Sequence, residues 1–222
     1  MNKRYTVPGE LCLAAGMLLI SFSISLMVRA DLGISTISSL PYALSFIIDD
    51  VSFGTWNIVF QASLLVLLVA ITRRFKTGYV IAFILSMFFG LMLDVFVDAL
   101  VGIPDGLWLR LFYFAVSYPI MCLGISMMIN SMIPLMIVDM FINDLTQHFH
   151  VTYRRMKTAF DISCLSLSVI LPLVFLGNIA GVGIGTVLMA ITTGAGVHAV
   201  NGVLARYVVI RPWSEALVKM AR

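Results

Sequence analysis

The sequence predicts an all-α integral membrane protein with six transmembrane helices, two short re-entrant or half helices, and 3+3 inverted-topology repeats. Three observations support this: the composition, six long apolar stretches, and a resemblance between the two halves of the chain. Of the 222 residues, 61% are hydrophobic and 11% are charged, whereas an average soluble domain is about 25% charged. This composition excludes a water-soluble enzyme, a nucleic-acid-binding protein and a disordered chain. We expect a single membrane domain over residues 1–222, surrounded by lipid bilayer and with no nucleic-acid partner.

The long apolar stretches predict where the chain crosses the membrane. A spanning helix needs about 20 mostly apolar residues. The first such stretch, Leu11 to Val28, follows a basic start but is longer than the apolar region of a signal peptide, so we interpret it as an uncleaved first span. The six predicted spans are residues 9–29, 54–72, 78–101, 108–130, 157–176 and 182–205.

Two further apolar segments, residues 32–48 and 133–148, are shorter and richer in polar residues. The first contains several serines and a proline, and the second contains two aspartates and an asparagine. We interpret both as short or re-entrant helices, although the sequence also allows them to span. Non-helical backbone at membrane depth is tolerated only where protein or a wet cavity surrounds it.

The distribution of basic residues predicts the orientation. If the two short segments do not span, all fourteen basic residues except Arg29 and Arg110 fall on one side. Cytoplasmic loops are enriched in Lys and Arg, so both termini are predicted to be cytoplasmic. Residues 206–222 are predicted to form a basic amphipathic tail on the cytoplasmic leaflet. The sequence leaves open whether the protein is a monomer or a homodimer.

The two halves of the chain predict an internal repeat, with residues 9–101 as the first copy and 108–205 as the second. Segment 23–29 (SISLMVR) aligns with 124–130 (GISMMIN), and segment 60–63 (FQAS) aligns with 160–163 (FDIS). Because each copy has three spans, the second copy enters the membrane from the opposite side. This arrangement is typical of secondary transporters, whose interrupted segments mark the binding site.

Two motifs carry a resemblance to a known family. Segment 29–35 (RADLGIS), followed by 52–58 (SFGTWNI), resembles the YczE branch of the YczE/YyaS/YitT bacterial membrane proteins. Many of those relatives have Pro-Trp-Asp shortly after the glycine, where this chain has Ser35-Thr36-Ile37. The resemblance implies a multi-pass permease of the bacterial inner (plasma) membrane and supports the architecture more than an activity.

Ionisable residues within spans are costly to bury, which makes each a functional candidate. Asp94 and Asp98 lie one turn apart in the third span, where they could bind a cation or proton or lie at headgroup level. His198 in the last span aligns with Asp94 and could relay protons or only hydrogen-bond a neighbouring helix. Asn201 follows His198 one turn later.

The remaining acidic candidates lie towards the second half of the chain. Asp139 and Asp144 belong to the second short segment, where they could line a cytoplasmic vestibule or form the polar face of an interfacial helix. Asp161 could line the pathway or pair with Lys157 one turn earlier. Gln61 is the repeat counterpart of Asp161.

The break after the first span is the last candidate region. The free amides of Ser35 and Thr36 at the start of a short helix, together with Arg29, could attract an anionic solute. Alternatively, Arg29 pairs locally with Asp31. Asn130 is the repeat counterpart of Arg29.

No motif of an enzyme is present in the sequence. There is no nucleotide-binding loop, metalloprotease motif or nucleophile elbow, and the three cysteines have no metal-ligand spacing. We therefore expect no catalytic residue, no metal and no cofactor. The leading hypothesis is a small secondary transporter of an unidentified small molecule or ion. The alternatives are a non-transporting accessory or scaffold protein of a biosynthetic or export complex and, more remotely, an intramembrane enzyme that acts on lipid.

Overall fold

The computed structural model describes residues 5–131 and 136–211, which form eight helices and two short strands. Six of the eight helices are long and apolar enough to cross a membrane, which fits a multi-pass membrane protein. The helices are α1 Gly9–Ala30, α2 Thr36–Ile47, α3 Phe53–Thr72, α4 Thr77–Leu100, α5 Leu107–Asn130, α6 Ile137–His148, α7 Tyr153–Leu176 and α8 Ile184–Tyr207.

The long helices correspond to the six predicted spans, and most of their ends agree within two residues. The exception is α7, which begins at Tyr153 rather than at residue 157. Its first turn contains Arg154 and Arg155. Their charges lower the local hydropathy, so the apolar stretch begins later in the sequence than the helix does. The two short predicted segments correspond to α2 and α6.

The two strands were not predicted. Strand β1, Tyr5–Pro8, pairs in parallel with β2, Val208–Arg211, so that the two ends of the described chain meet on one face. Residues 208–211 of the tail predicted over 206–222 therefore form a strand, whose backbone hydrogen-bonds to β1. The remainder of that prediction, including Trp213–Lys219, lies outside the described residues.

Contacts at the ends of the helices define the two faces of the molecule. On the face that we call the acidic face, the ends of α1 and α4 meet the start of α5, where Arg29 Nη2 donates to the Ile103 carbonyl at 2.6 Å. On the other face, which we call the basic face, Lys76 at the start of α4 pairs with Asp144 near the end of α6 at 2.8 Å. The basic face also carries Arg73 and Arg74, in the loop before α4, and Arg154 and Arg155, in the first turn of α7.

Helix α1 forms the centre of the bundle, since it is the most buried of the long helices and α8 is the least buried. It packs most extensively against α5, and the two helices cross at Gly16 and Gly124. A Cβ added at Gly16 would lie 2.8 Å from the Gly124 carbonyl oxygen, so the close approach depends on glycine.

The short helices begin beside the middle of long helices. The Ile137 amide at the start of α6 donates to Ser86 Oγ, halfway along α4, at 3.3 Å, while the end of α6 reaches the start of α4 through Asp144. Near the start of α2, Ser39 Oγ donates to Ser168 Oγ within α7 at 3.0 Å. Each short helix therefore accompanies only part of a long neighbour.

The segment between α1 and α2 is fixed to the start of α8. The Gly185 amide donates to the Leu32 carbonyl at 2.7 Å. Gly33 has φ +104°, and a Cβ there would lie 2.7 Å from the Gly183 amide nitrogen. Only glycine combines that backbone conformation with so little space, which is why the chain can turn back here.

The packed helix pairs of the first half have counterparts in the second half. Helix α1 packs on α4 as α5 packs on α8, and α2 packs on α3 as α6 packs on α7. Helix α2 contacts α7 and α8, as α6 contacts α3 and α4. One pair has no counterpart: α3 packs closely on α4, whereas α7 and α8 show no comparable packing among the described residues.

Candidate functional site

A cavity of about 510 Å³ lies in the middle of the bundle. Its walls come from all eight helices, and the starts of both α2 and α6 reach it. It extends from the middle of α1 and α8 to the first three turns of α7, a helix that begins on the basic face. The polar residues that line it are Ser35, Thr36, Ser38, Asn57, Gln61, Asp139, Tyr153, Lys157, Asp161 and Thr193.

The starts of the short helices present polar groups to this cavity. Ser35 is the N-cap of α2, and its hydroxyl donates to Ser38 Oγ at 3.2 Å. Met136 is the N-cap of α6, and Asp139 occupies the third position of that helix. The first amides of a helix lack partners within the helix, so both starts bring polar backbone to the interior.

A chain of buried hydrogen bonds supports the start of α6. The Gln61 amide donates to Asn57 Oδ1 at 2.9 Å, and Ser86 Oγ donates to Gln61 Oε1 at 2.6 Å. Ser86 in turn accepts the Ile137 amide. Asn57, Gln61 and Ser86 are all buried, so these bonds satisfy groups that would otherwise be costly to bury.

Three charged side chains line the cavity. Lys157 Nζ pairs with Asp161 Oδ1 at 2.7 Å, one helical turn apart on α7. Asp139 has no hydrogen bond or ion pair among the described residues. Burial raises the pKa of Asp139 to about 6, and the positive charge of Lys157 opposes that rise. The cavity therefore contains one neutralised pair and one unmatched carboxylate.

The cavity brings together five of the residues singled out from the sequence: Ser35, Thr36, Gln61, Asp139 and Asp161. The Lys157–Asp161 pair expected from helical spacing is present. Asp144 does not line this cavity. It lies in a separate polar depression of about 410 Å³ on the basic face, where it accepts from Lys76 at 2.8 Å.

Arg29 and Asp31 lie outside the cavity, on the acidic face, and do not pair with each other. Arg29 approaches Asp105 at 3.9 Å, and Asp31 pairs with Arg110 at 3.1 Å. The local Arg29–Asp31 pair expected from the sequence is therefore wrong, because the left-handed turn at Asp31 (φ 53°) ends α1 beside the start of α5. Hydrogen bonds from Arg110 and from the Gly106 amide hold the pKa of Asp105 well below its usual value.

Asp94 joins α4 to the start of α3. Its carboxylate accepts Ser52 Oγ at 2.7 Å and the Gly54 amide at 2.6 Å. Ser52 is also the N-cap of α3, so Asp94 accepts a hydrogen bond from the capping residue of α3 and links α4 to the start of that helix. Asp98, one turn further, is exposed.

The other candidates lie between α5 and α8 or on the surface of α8. Asn130 Nδ2 donates to Asn201 Oδ1 at 2.8 Å, and Ser126 Oγ donates to the same oxygen. His198 is exposed and is not among the residues that line the cavity. The structure thus brings Asn130 and Asn201 together but places both apart from Asp139.

Sequence reasoning missed several cavity residues. Asn57, Ser38 and Tyr153 are uncharged, and Lys157 was considered only as a local partner of Asp161. The repeat alignment carried a usable signal, because residues 57 and 61 correspond to 157 and 161. In the predicted alignment of the two halves, polar residues occupy the same two positions of α3 and α7, and all four line the cavity.

Comparison with known proteins identifies a family but no activity. The chain matches a family described as "Family of unknown function (DUF6198)" over residues 7–202. The comparison with curated proteins finds no match, and neither does the comparison with solved structures.

Proposed function

The chain belongs to this family of unknown function, and we propose that it is a small secondary transporter, or permease, whose solute binds in the central cavity between two inverted repeats. One observation carries the proposal: the starts of two interrupted short helices meet at one interior cavity that holds an unmatched carboxylate. Transporters with inverted repeats bind their solutes at such helix interruptions near the midplane.

Helix positions support the inverted repeat. Helices α2 and α6 both have 12 residues, and their ends are related by the same offset of 101 residues that aligns segment 23–29 with 124–130. With this offset, Gly16 in the first half corresponds to Ser117 in the second, and Gly124 in the second half corresponds to Ser23 in the first. The close contact between Gly16 and Gly124 is therefore equivalent to a contact between Ser117 and Ser23. Ser23 Oγ donates to the Ser117 carbonyl at 2.7 Å, so both equivalent contacts exist, as a pseudo-two-fold axis at the α1–α5 crossing requires.

The depth of the short helices supports their assignment as half helices. Helix α6 runs from the middle of α4 to the basic face, and α2 begins beside the middle of α7. With 12 residues, each is about 18 Å long, which is short of the roughly 30 Å hydrocarbon core. At the start of α6, the buried bond to Ser86 Oγ satisfies the Ile137 amide, which lipid could not do.

The difference between the two halves supports alternating access. Gly90 lies four residues before Asp94, and Gly194 lies four residues before His198, which aligns with Asp94. A Cβ added at Gly90 would lie 2.7 Å from the Gly54 carbonyl oxygen, whereas nothing lies within 4 Å of a Cβ added at Gly194. Gly194 lines the cavity. Helices α3 and α4 therefore form a closed gate on the acidic face, held by Asp94, while the separated α7 and α8 leave the cavity open towards the basic face.

The charge distribution supports an orientation with the basic face in the cytoplasm. Both termini would then be cytoplasmic, which agrees with the pairing of β1 and β2 on that face. The motifs that resemble the YczE branch support a bacterial inner membrane as the location.

The proposal is tested by labelling a cysteine in the cavity from each side of the membrane. Ala190 lines the cavity, and Ile191 beside it is 76% exposed on the outer surface of α8. In oriented proteoliposomes, we expect a membrane-impermeant thiol reagent to modify Ala190→Cys from both faces, and faster from the basic face. Ile191→Cys, the matched control, should resist the reagent from both faces because it lies against lipid.

Labelling of Ala190→Cys from one face only would contradict transport. That result would instead favour a static accessory or scaffold protein, which has no need to expose one site to both sides of the membrane.

A further inference from the structure

The net charge of the central cavity indicates the charge of its solute. Lys157 and Asp161 neutralise each other at 2.7 Å, so Asp139 leaves the cavity with a net charge of −1. The lining residues from α1, α2, α3, α4, α5 and α8 carry no charged side chain. A carboxylate among largely apolar walls is stabilised by a partner of opposite charge. Asp139 makes no ion pair among the described residues, and the charge of Lys157 that acts on it is already paired with Asp161.

The walls of the cavity indicate the body of the solute. Four methionines and several isoleucine and phenylalanine side chains line it. Methionine adapts to irregular apolar ligands, and aromatic rings attract cations through their faces. A volume of about 510 Å³ lies within the roughly 300–1,000 Å³ of pockets that enclose small organic molecules.

An inorganic divalent cation does not fit this set of donors. Calcium requires six to eight oxygen ligands and magnesium an octahedral set. Among the described residues, no group of three His, Cys, Asp or Glu side chains could hold a metal ion. One carboxylate in apolar surroundings suits a singly charged organic ion instead.

We propose that the cavity binds an organic monocation with an apolar body, such as a quaternary ammonium or phosphonium ion, with its charge against the Asp139 carboxylate. This inference rests on the proposed transport function, because it names the chemical class of the transported solute. The apolar body lies among the methionine and phenylalanine side chains, and Asn57 and Gln61 offer polar contacts beside it.

The same site couples the solute to protons. The cation binds to ionised Asp139, so a proton on that carboxylate must leave to bulk water before the cation binds. The titratable groups that share the cavity are Tyr153, Lys157 and Asp161, and the last two are paired. Because burial raises the pKa of Asp139 to about 6, affinity should fall as the pH drops below that value, by about tenfold between pH 7.5 and pH 5.

The experiment measures binding of radiolabelled tetraphenylphosphonium to the full chain in lipid nanodiscs, with empty nanodiscs as background. We expect saturable binding that weakens about tenfold at pH 5. Asp139→Asn should weaken binding about tenfold or more at pH 7.5 and abolish the pH dependence, because it removes the charge at nearly constant volume. Asp139→Glu should retain both the affinity and its pH dependence. Asp98→Asn, the same change at an exposed position, should behave like the unmodified protein.

Tetraphenylborate, an anion of the same shape, should not compete for the site. Absence of saturable binding, equal competition by tetraphenylborate, or equal binding by Asp139→Asn would each overturn the inference. Thermal unfolding of Asp139→Asn and Asp139→Glu controls for misfolding. If both variants unfold at a similar temperature, a difference in their binding comes from the charge, which only the Glu variant keeps.

The outcomes of this test are separable from those of the transport test. Labelling of Ala190→Cys from both faces without tetraphenylphosphonium binding would overturn the solute class and leave transport intact. Tetraphenylphosphonium binding with labelling from one face only would overturn transport and leave the binding site intact.

Discussion

Gly90 on α4 offers a direct perturbation of the proposed gate between α3 and α4. In Gly90→Ala, the new Cβ would lie 2.7 Å from the Gly54 carbonyl oxygen and 2.6 Å from Ile58 Cγ1. The isoleucine side chain can rotate, but the carbonyl belongs to the backbone of α3, so the two helices must separate. Overpacking of this kind costs about 1–3 kcal/mol, which corresponds to about a 5- to 150-fold shift towards the separated state.

The separation is measured by electron–electron double resonance between spin labels at Val59 on α3 and Val95 on α4, both of which are exposed. In the unmodified protein we expect one dominant short distance. In Gly90→Ala we expect a second, longer distance to gain population by at least several-fold.

Gly194→Ala is the matched control, since the same substitution on α8 meets no atom within 4 Å. The α3–α4 distance should be unchanged in this variant. An unchanged distance in Gly90→Ala, with the protein folded, would refute the interpretation of this contact as the closed gate. An equal effect of Gly194→Ala would show that the response is not local to α3 and α4.

Two further substitutions test the bonds that position the gate and the site. Asp94→Asn removes the charge from both hydrogen bonds that hold α3 to α4, and each of these bonds is worth about 1.5–3 kcal/mol. The population with separated helices should therefore rise at least about tenfold. Asp98→Asn, the control, should not change that population. Ser86→Ala leaves the buried Ile137 amide without its acceptor and should lower the unfolding free energy by about 1–3 kcal/mol. Ser63→Ala, the control at an exposed serine, should change the unfolding free energy little. Both variants are measured by reversible unfolding in micelles. An equal loss of unfolding free energy in both would contradict the role of Ser86 as the acceptor of the Ile137 amide.

Hydropathy and helix geometry were sufficient to predict the long helices and the position of both short ones. These features depend on local composition, since about 20 apolar residues in succession have few alternatives in a membrane protein. The start of α7 was placed four residues late, because Arg154 and Arg155 lie inside the helix at the edge of the membrane. The β1–β2 pairing joins residues about 200 positions apart, and no local pattern in either segment indicates it.

The candidate site was predicted in part, and the residues that were predicted are again those that a local sequence pattern indicates. Asp139 was found because an acidic residue in an apolar segment is conspicuous, and the Lys157–Asp161 pair follows from helical spacing. The partners of Arg29 and Asp31 could not be predicted, because they come from the α4–α5 loop and α5, more than 70 residues away. Proximity in sequence favoured a local pair that the turn at Asp31 excludes.

The most direct test of the inverted arrangement compares two loop positions that the repeat makes equivalent. Asp50 precedes α3, and His150 precedes α7 at an offset of 100 residues. Single cysteines at these positions are exposed to a membrane-impermeant maleimide in right-side-out and inside-out membrane vesicles. We expect each cysteine to react from one side only, with residue 50 and residue 150 on opposite sides. Reaction of both cysteines from the same side would mean that α2 and α6 cross the membrane completely, and would contradict the inverted repeats and the cavity between them.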